Sequence, residues 1–219
     1  MIWNLPNILT LFRLAAAPGL VVVFFLLPRP AADWAALALF VGASLTDYAD
    51  GYLARAWEQQ SRMGTMLDPI ADKAMVIIAL FVLAAYSDVT TAIVLPAGVI
   101  LFREVFVSGL REFLGDVAGT LKVTKLAKWK TATQMFAIAI LLGHGILQHE
   151  MSQAVFGVEQ GTVDDILSGE IADDSGLGAQ VWATQWTATG GIVLMWIAAL
   201  LTAITGADYF LKARPHLKG

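Results

Sequence analysis

Apolar residues gather into long runs separated by short polar turns, and several of the runs are long enough to cross a bilayer. A spanning helix needs ~20 mostly apolar residues at a rise of ~1.5 Å each. Six stretches meet that length, at about 6–27, 32–56, 64–85, 90–114, 125–147 and 182–211. Pro28 and Pro30 stop the first, because proline removes a backbone donor and clashes with the preceding turn. The pattern predicts an all-α integral membrane protein of six transmembrane helices with both termini on one side. No repeat or low-complexity segment divides the chain, so residues 1–219 read as one transmembrane domain. The stretch 148–181 is too polar to span and is expected as a loop within it.

Charge orients the bundle. Arg111, Lys122, Lys125, Lys128 and Lys130 surround the turn between the fourth and fifth runs, Arg55 and Arg62 that between the second and third, and Lys212, Arg214 and Lys218 the tail. With six spans these all fall on one face, which the positive-inside rule makes cytoplasmic. The 148–181 loop on the other face carries Glu150, Glu159, Asp164, Asp165, Glu170, Asp173 and Asp174 and no Lys or Arg. It reads as a solvated acidic extracytoplasmic insertion. A hydrophobic content of 58%, 15% charged residues and a mean hydropathy of +0.68 agree with a polytopic membrane protein. The absence of cysteine excludes disulfides, thiolate metal sites and cysteine nucleophiles. A net charge of −4 and a pI near 5.3 argue against nucleic acid as a partner. Met1 to Asn7 holds no basic residue, and Arg13 sits inside the apolar run, so the N-terminus does not read as a cleavable signal.

One window breaks the apolar pattern. Asp47 to Asp72 reads DYADGYLARAWEQQSRMGTMLDPIAD, with four aspartates close together. Ionisable residues at membrane depth are expensive and mark function by default. Asp47 and Asp50 (i, i+3) share a face near the end of the second helix, and Asp68 and Asp72 (i, i+4) share one in the opening turns of the third. Asp72 lies ~12 Å along its helix from Gly64, and Asp47 a similar distance back from the turn. The four carboxylates can therefore converge at one depth, as hard cations bound by oxygen ligands require. Gly51 lets a bulky ligand approach the backbone, and Arg55, one turn on, suits phosphate oxygens. A blander reading pairs the acids with Arg55, Arg62 and Lys73 as buried salt bridges. That leaves four acids against three bases and gives the glycines no role. In the first helix Asn7, Thr10 and Arg13 form one polar stripe, whose blander reading is a helix cap plus a snorkelling arginine.

The full pattern, D-x2-D-G-x2-A-R-x8-G-x3-D-x3-D, occupies Asp47, Asp50, Gly51, Ala54, Arg55, Gly64, Asp68 and Asp72. It resembles the signature of the CDP-alcohol phosphotransferases, integral membrane enzymes that make phospholipids. The resemblance implies two divalent cations, Mg²⁺ or Mn²⁺, held by Asp47, Asp50, Asp68 and Asp72 on the diphosphate of a CDP-linked donor. It implies Asp72 as the general base, and Gly51, Ala54 and Arg55 against the cytidine diphosphate. Asn7, Thr10 and Arg13 match an N-x2-T-x2-R near the nucleotide. It further suggests a homodimer in a bacterial cytoplasmic membrane, with the site on the cytoplasmic side.

The stretches NLPNILTLFRLAAAP, REVFVSGLREF and KWKTATQM extend the likeness over most of residues 4 to 138. They resemble the branch of the family that joins CDP-diacylglycerol to glycerol 3-phosphate and releases CMP. An acceptor that is itself a phosphate needs further cations, for which Arg103, Arg111, Lys128 and Lys130 are the candidates. Lys122 and Lys125 read instead as topology or anionic-lipid charges. Serine, inositol phosphate or phosphatidylglycerol as acceptor is the nearest alternative. A cation or proton transporter is the alternative of another class, disfavoured because transporters tend to show repeated halves. The acidic loop is expected to weaken the likeness after about Leu147. His144, His149 and His216 suggest no cofactor, and Trp182 and Trp186 look like an interfacial belt.

Overall fold

The computed structural model describes residues 5–56, 61–120 and 125–217, and every regular element among them is helical. The long helices are α1 (Leu5–Leu26), α2 (Ala31–Ala56), α3 (Arg62–Tyr86), α4 (Thr90–Leu114) and α5 (Lys125–Ala154). A short α6 (Gln160–Ser168) precedes the longest, α7 (Leu177–Ala213). Among the described residues, five helices are long and apolar enough to cross a membrane: Asn7–Leu26, Arg62–Tyr86, Thr90–Leu114, Leu126–Ala154 and Leu177–Leu217. The side chains of α2 are described only as far as Asp47, and α2 is not among the five.

Turn length dictates the packing. Short turns after α1 and α3 make α1–α2 and α3–α4 antiparallel neighbours, and α1 packs on both α2 and α3. The long α7 lies against α4 and α5, and α2 closes onto α5. Leu20, Phe40, Leu80, Ile93, Ile100, Ile138, Leu141 and Met195 fill the core. Ala17, Ala36, Ala43, Ala79, Ala137 and Ala198 are buried between them, and such small residues let helix backbones approach closely. Large apolar side chains such as Phe25, Phe81, Phe102, Phe136 and Leu200 point outward instead, as they do where the surrounding solvent is lipid.

Polar groups fasten the two ends of the bundle. At the α1–α2 turn, Arg29 donates from Nε and Nη2 to both oxygens of the buried Asp33, at 2.7 and 2.8 Å. Its guanidinium also reaches the carbonyl of Gly145 on α5 at 3.3 Å. The bond to Asp33 raises the Arg29 pKa against the opposing effect of burial. At the same end, buried His144 joins Asp88 (Nε2 to Oδ1, 2.9 Å) and Thr187 (Nδ1 to Oγ1, 3.3 Å), a structural tie between α5, the α3–α4 turn and α7. Asp47 of α2 and Asp68 and Asp72 of α3 lie at the opposite end.

The stretch expected as a loop at 148–181 is partly helical. α5 runs on to Ala154, α6 occupies Gln160–Ser168, and α7 starts at Leu177, ahead of the expected 182. Hydropathy detects where a helix stops being apolar, whereas backbone hydrogen bonding continues through polar residues into water. Asp173 starts α7 by accepting the Leu177 and Gly178 N–H groups at 2.8 Å each, which offsets donors that have no partner inside the helix. These bonds, that from Gly178 first, hold the exposed Asp173 carboxyl below its ordinary pKa. Its contribution is therefore complete above the ordinary aspartate value of ~3.9 and is lost as pH falls through the depressed one. Asp173→Ala is expected to speed hydrogen exchange at the Leu177 and Gly178 amides several-fold at pH 6, leaving the middle of α7 protected. Unchanged exchange at both amides would remove Asp173 as the cap.

Candidate active site

Three helix segments meet where the apolar pattern breaks: the first half of α1, the last turns of α2 and the first turns of α3. Ser61 caps α3 by accepting the Gly64 N–H at 2.9 Å, and its own hydroxyl donates to Asn7 Oδ1 on α1 at 2.7 Å. A Cβ at Gly64 would stand 2.9 Å from that Asn7 oxygen. The absence of a side chain thus lets α3 begin directly against α1. Asn7 thereby fixes the height at which the two helices face each other.

One turn along, that register brings the charges together. Arg13 is only 2% exposed, and its Nη1 pairs with Asp47 and, at 2.5 Å, with Asp72 Oδ1. Its Nη2 reaches Asp68 Oδ1 at 3.3 Å, the same oxygen that accepts the Thr10 hydroxyl at 2.8 Å. The carboxylates are not buried with it: Asp47, Asp68 and Asp72 are 49%, 47% and 53% exposed. A buried cation thus forms the floor of the site, and three carboxylates with open outer faces form its rim.

Thr10, Arg13, Asp47, Asp68 and Asp72 are therefore brought to one place. Asp50, Gly51, Ala54 and Arg55 belong to the last turns of α2, and their side chains lie outside the described residues. Arg62 and Lys73, considered as partners of the aspartates, make no ion pair among the described residues; Arg13 takes that role. No group of three metal-binding side chains is preassembled as a cage among the described residues. The donor chemistry nevertheless fits a divalent cation, since three hard carboxylate ligands from two helices already converge on one positive centre.

A cavity of about 130 Å³ lies at the same end of the bundle, walled by α3, α4, α5 and α7. Lys73, Arg103, Glu104, Arg111, Asp208 and Tyr209 line it, and Lys73 directly follows Asp72 in the chain. Arg103 runs along Gly206 of α7, where a Cβ would stand 2.8 Å from its Cγ. Glu104 takes Lys130 Nζ at 2.5 Å and Arg103 Nη1 at 3.2 Å. Of the four acceptor cations expected, Arg103 and Arg111 line the cavity. Lys130 is buried against Glu104, and Lys128 is exposed and not part of the wall. Residues two apart on a helix point ~200° apart; Lys130 meets the cavity through Glu104, whereas Lys128 faces outward. Glu104, Asp208 and Tyr209 escaped the sequence reading as cavity residues, and Lys73 entered it only as a possible partner of the aspartates. The only local signals were the position of Lys73 after Asp72 and the i, i+4 pair of Asp208 with Lys212.

Removing Arg13 leaves three carboxylates facing one another. Breaking a buried ion pair costs ~3–5 kcal/mol, and half-exposed partners lower that. Arg13→Gln is therefore expected to destabilise the fold by about 2 kcal/mol, read as a lower Tm in detergent. An unchanged Tm would mean that the carboxylates do not depend on the arginine.

The model of the CDP-alcohol phosphatidyltransferase family matches residues 3–163. A CDP-diacylglycerol–glycerol-3-phosphate 3-phosphatidyltransferase of Cereibacter sphaeroides is 54% identical over 219 residues, covering 100% of this chain and 99% of its own. Proteins of the same name from Rickettsia bellii and Escherichia coli are each 40% identical, over 97% and 99% of this chain and 97% and 98% of their own. These alignments extend past Leu147 and through the acidic segment, while the family model ends at residue 163. The converging aspartates, the family match from residue 3 to residue 163 and relatives similar from end to end place this chain in the CDP-alcohol phosphatidyltransferase family.

Proposed function

We propose that this chain transfers the phosphatidyl group of CDP-diacylglycerol to glycerol 3-phosphate, forming phosphatidylglycerophosphate and CMP. The observation that carries the reading is the pairing of two sites at one end of the bundle. An open rim of carboxylates on a buried arginine adjoins a small cavity lined by Lys73, Arg103 and Arg111. The first suits a metal-bound diphosphate and the second a phosphorylated acceptor. The names of the relatives describe the same reaction.

Asp72 takes the proton from the C1 hydroxyl of glycerol 3-phosphate. That oxygen bonds to the lipid-bearing phosphorus of the donor, the bond from this phosphorus to the bridging oxygen breaks, and CMP leaves. Asp47, Asp50, Asp68 and Asp72 would hold Mg²⁺ or Mn²⁺, which in such sites stabilises charge on the attacking and leaving oxygens. Arg13 fixes the carboxylates, and Arg103, Arg111 and Lys73 hold the acceptor phosphate beside Asp72. Asn7, Thr10, Gly51, Ala54 and Arg55 stand toward the cytidine diphosphate.

Five apolar helices of spanning length make this a multi-pass membrane protein. We count α2 as a sixth span, since its 26 residues reach ~39 Å and pack along α1 and α5. With six spans both termini and the site face the cytoplasm of a bacterial inner membrane, by the basic charges at that end. The family resemblance supports a homodimer.

Asp72→Asn is expected to fold with an unchanged helical circular-dichroism spectrum and to release CMP at least a hundredfold more slowly, the usual range for a lost general base. Normal turnover in that variant would exclude Asp72 from the proton transfer.

A further inference from the structure

The cavity beside the aspartates offers more polar atoms than a phosphate uses. Tyr209 of α7 lines it, and the Tyr209 hydroxyl is buried without a hydrogen-bond partner among the described residues. The Nε of Arg103, in the same wall, is also buried without one. Buried polar atoms are nearly always satisfied; Gln134, Gln180 and Thr202 carry unpartnered ones elsewhere among the described residues, and these two belong to residues that wall one cavity. The Arg111 guanidinium lies 6.0 Å from the centre of the Tyr209 ring, at the outer reach of a cation–π contact. The phenol thus stands next to one of the three cations available to a phosphate. A phosphate satisfies Arg103, Arg111 and Lys73; a neutral phenol matches a neutral hydroxyl. At about 130 Å³, roughly the volume of four waters, the cavity holds one small molecule.

We propose that Tyr209 is a specificity-determining residue whose hydroxyl hydrogen-bonds the middle hydroxyl of the glycerol phosphate acceptor, the one that does not react. The inference rests on the acceptor assigned above. A site built to bond a substrate hydroxyl rejects an analogue that lacks it, because the site's own polar atom is then left unpaired.

The test compares the whole protein with Tyr209→Phe in detergent, using CDP-diacylglycerol, Mg²⁺ and two ligands. One is glycerol 3-phosphate. The other, 3-hydroxypropyl phosphate, has the same length without the middle hydroxyl, and its inhibition constant against glycerol 3-phosphate can be read whether or not it turns over. Tyr209→Phe is expected to raise the KM for glycerol 3-phosphate about tenfold. The inhibition constant of the deoxy analogue and the KM for CDP-diacylglycerol should stay unchanged. Equal weakening of both ligands, or none of either, overturns the role of Tyr209 alone. Failure of the unmodified protein to use glycerol 3-phosphate overturns the acceptor assignment and this inference together.

Discussion

An arginine cannot shed its charge at any ordinary pH, so one set inside an apolar helix commits the surrounding helices to supplying anions. Arg13 makes that demand, and Asp47, Asp68 and Asp72 meet it from two other helices. The site consequently needs α1, α2 and α3 at a single relative height. The Asn7–Ser61–Gly64 contact sets that height one turn away, where a side chain on Gly64 would collide with Asn7. Arg29 and His144 secure the other end of the bundle. The end that holds Arg13 can then carry concentrated charge while the core beneath it remains apolar.

The uneven burial of this cluster gives it a use beyond holding helices together. Were all four groups buried, the arrangement would be a costly structural ion pair. With the cation buried and the carboxylates about half exposed, the anionic faces remain available to ligands. Lys73, Arg103 and Arg111 line the neighbouring cavity alongside Glu104 and Asp208, so basic side chains begin one residue after Asp72.

Much of this was legible in the chain. Apolar runs located the long helices to within a few residues at most ends, because lipid-facing length is written directly in composition. They failed at the end of α5 and the start of α7, where polar residues extend helices into water and Asp173 supplies the cap. The i, i+4 spacing of Asp68 and Asp72 foretold a shared face, and Thr10 and Arg13 were visible as a polar stripe. Which charges would pair was not visible, since Arg13 meets partners 34 to 59 residues away. The cavity divided the same way: Arg103 and Arg111 announce themselves on one helix, whereas Asp208 and Tyr209 arrive from α7, roughly a hundred residues later. Lys128 and Lys130 looked like a pair in one dimension and diverge by helical geometry.

The most direct measurement is CMP release by the purified protein in detergent, with CDP-diacylglycerol and Mg²⁺ or Mn²⁺. Glycerol 3-phosphate, serine, inositol phosphate and phosphatidylglycerol would each be supplied alone. Metal-dependent release with glycerol 3-phosphate and with none of the others is the expected result. Release with a different acceptor would contradict the assignment of the Arg103–Arg111 cavity, and no release with any of them would contradict phosphatidyl transfer itself.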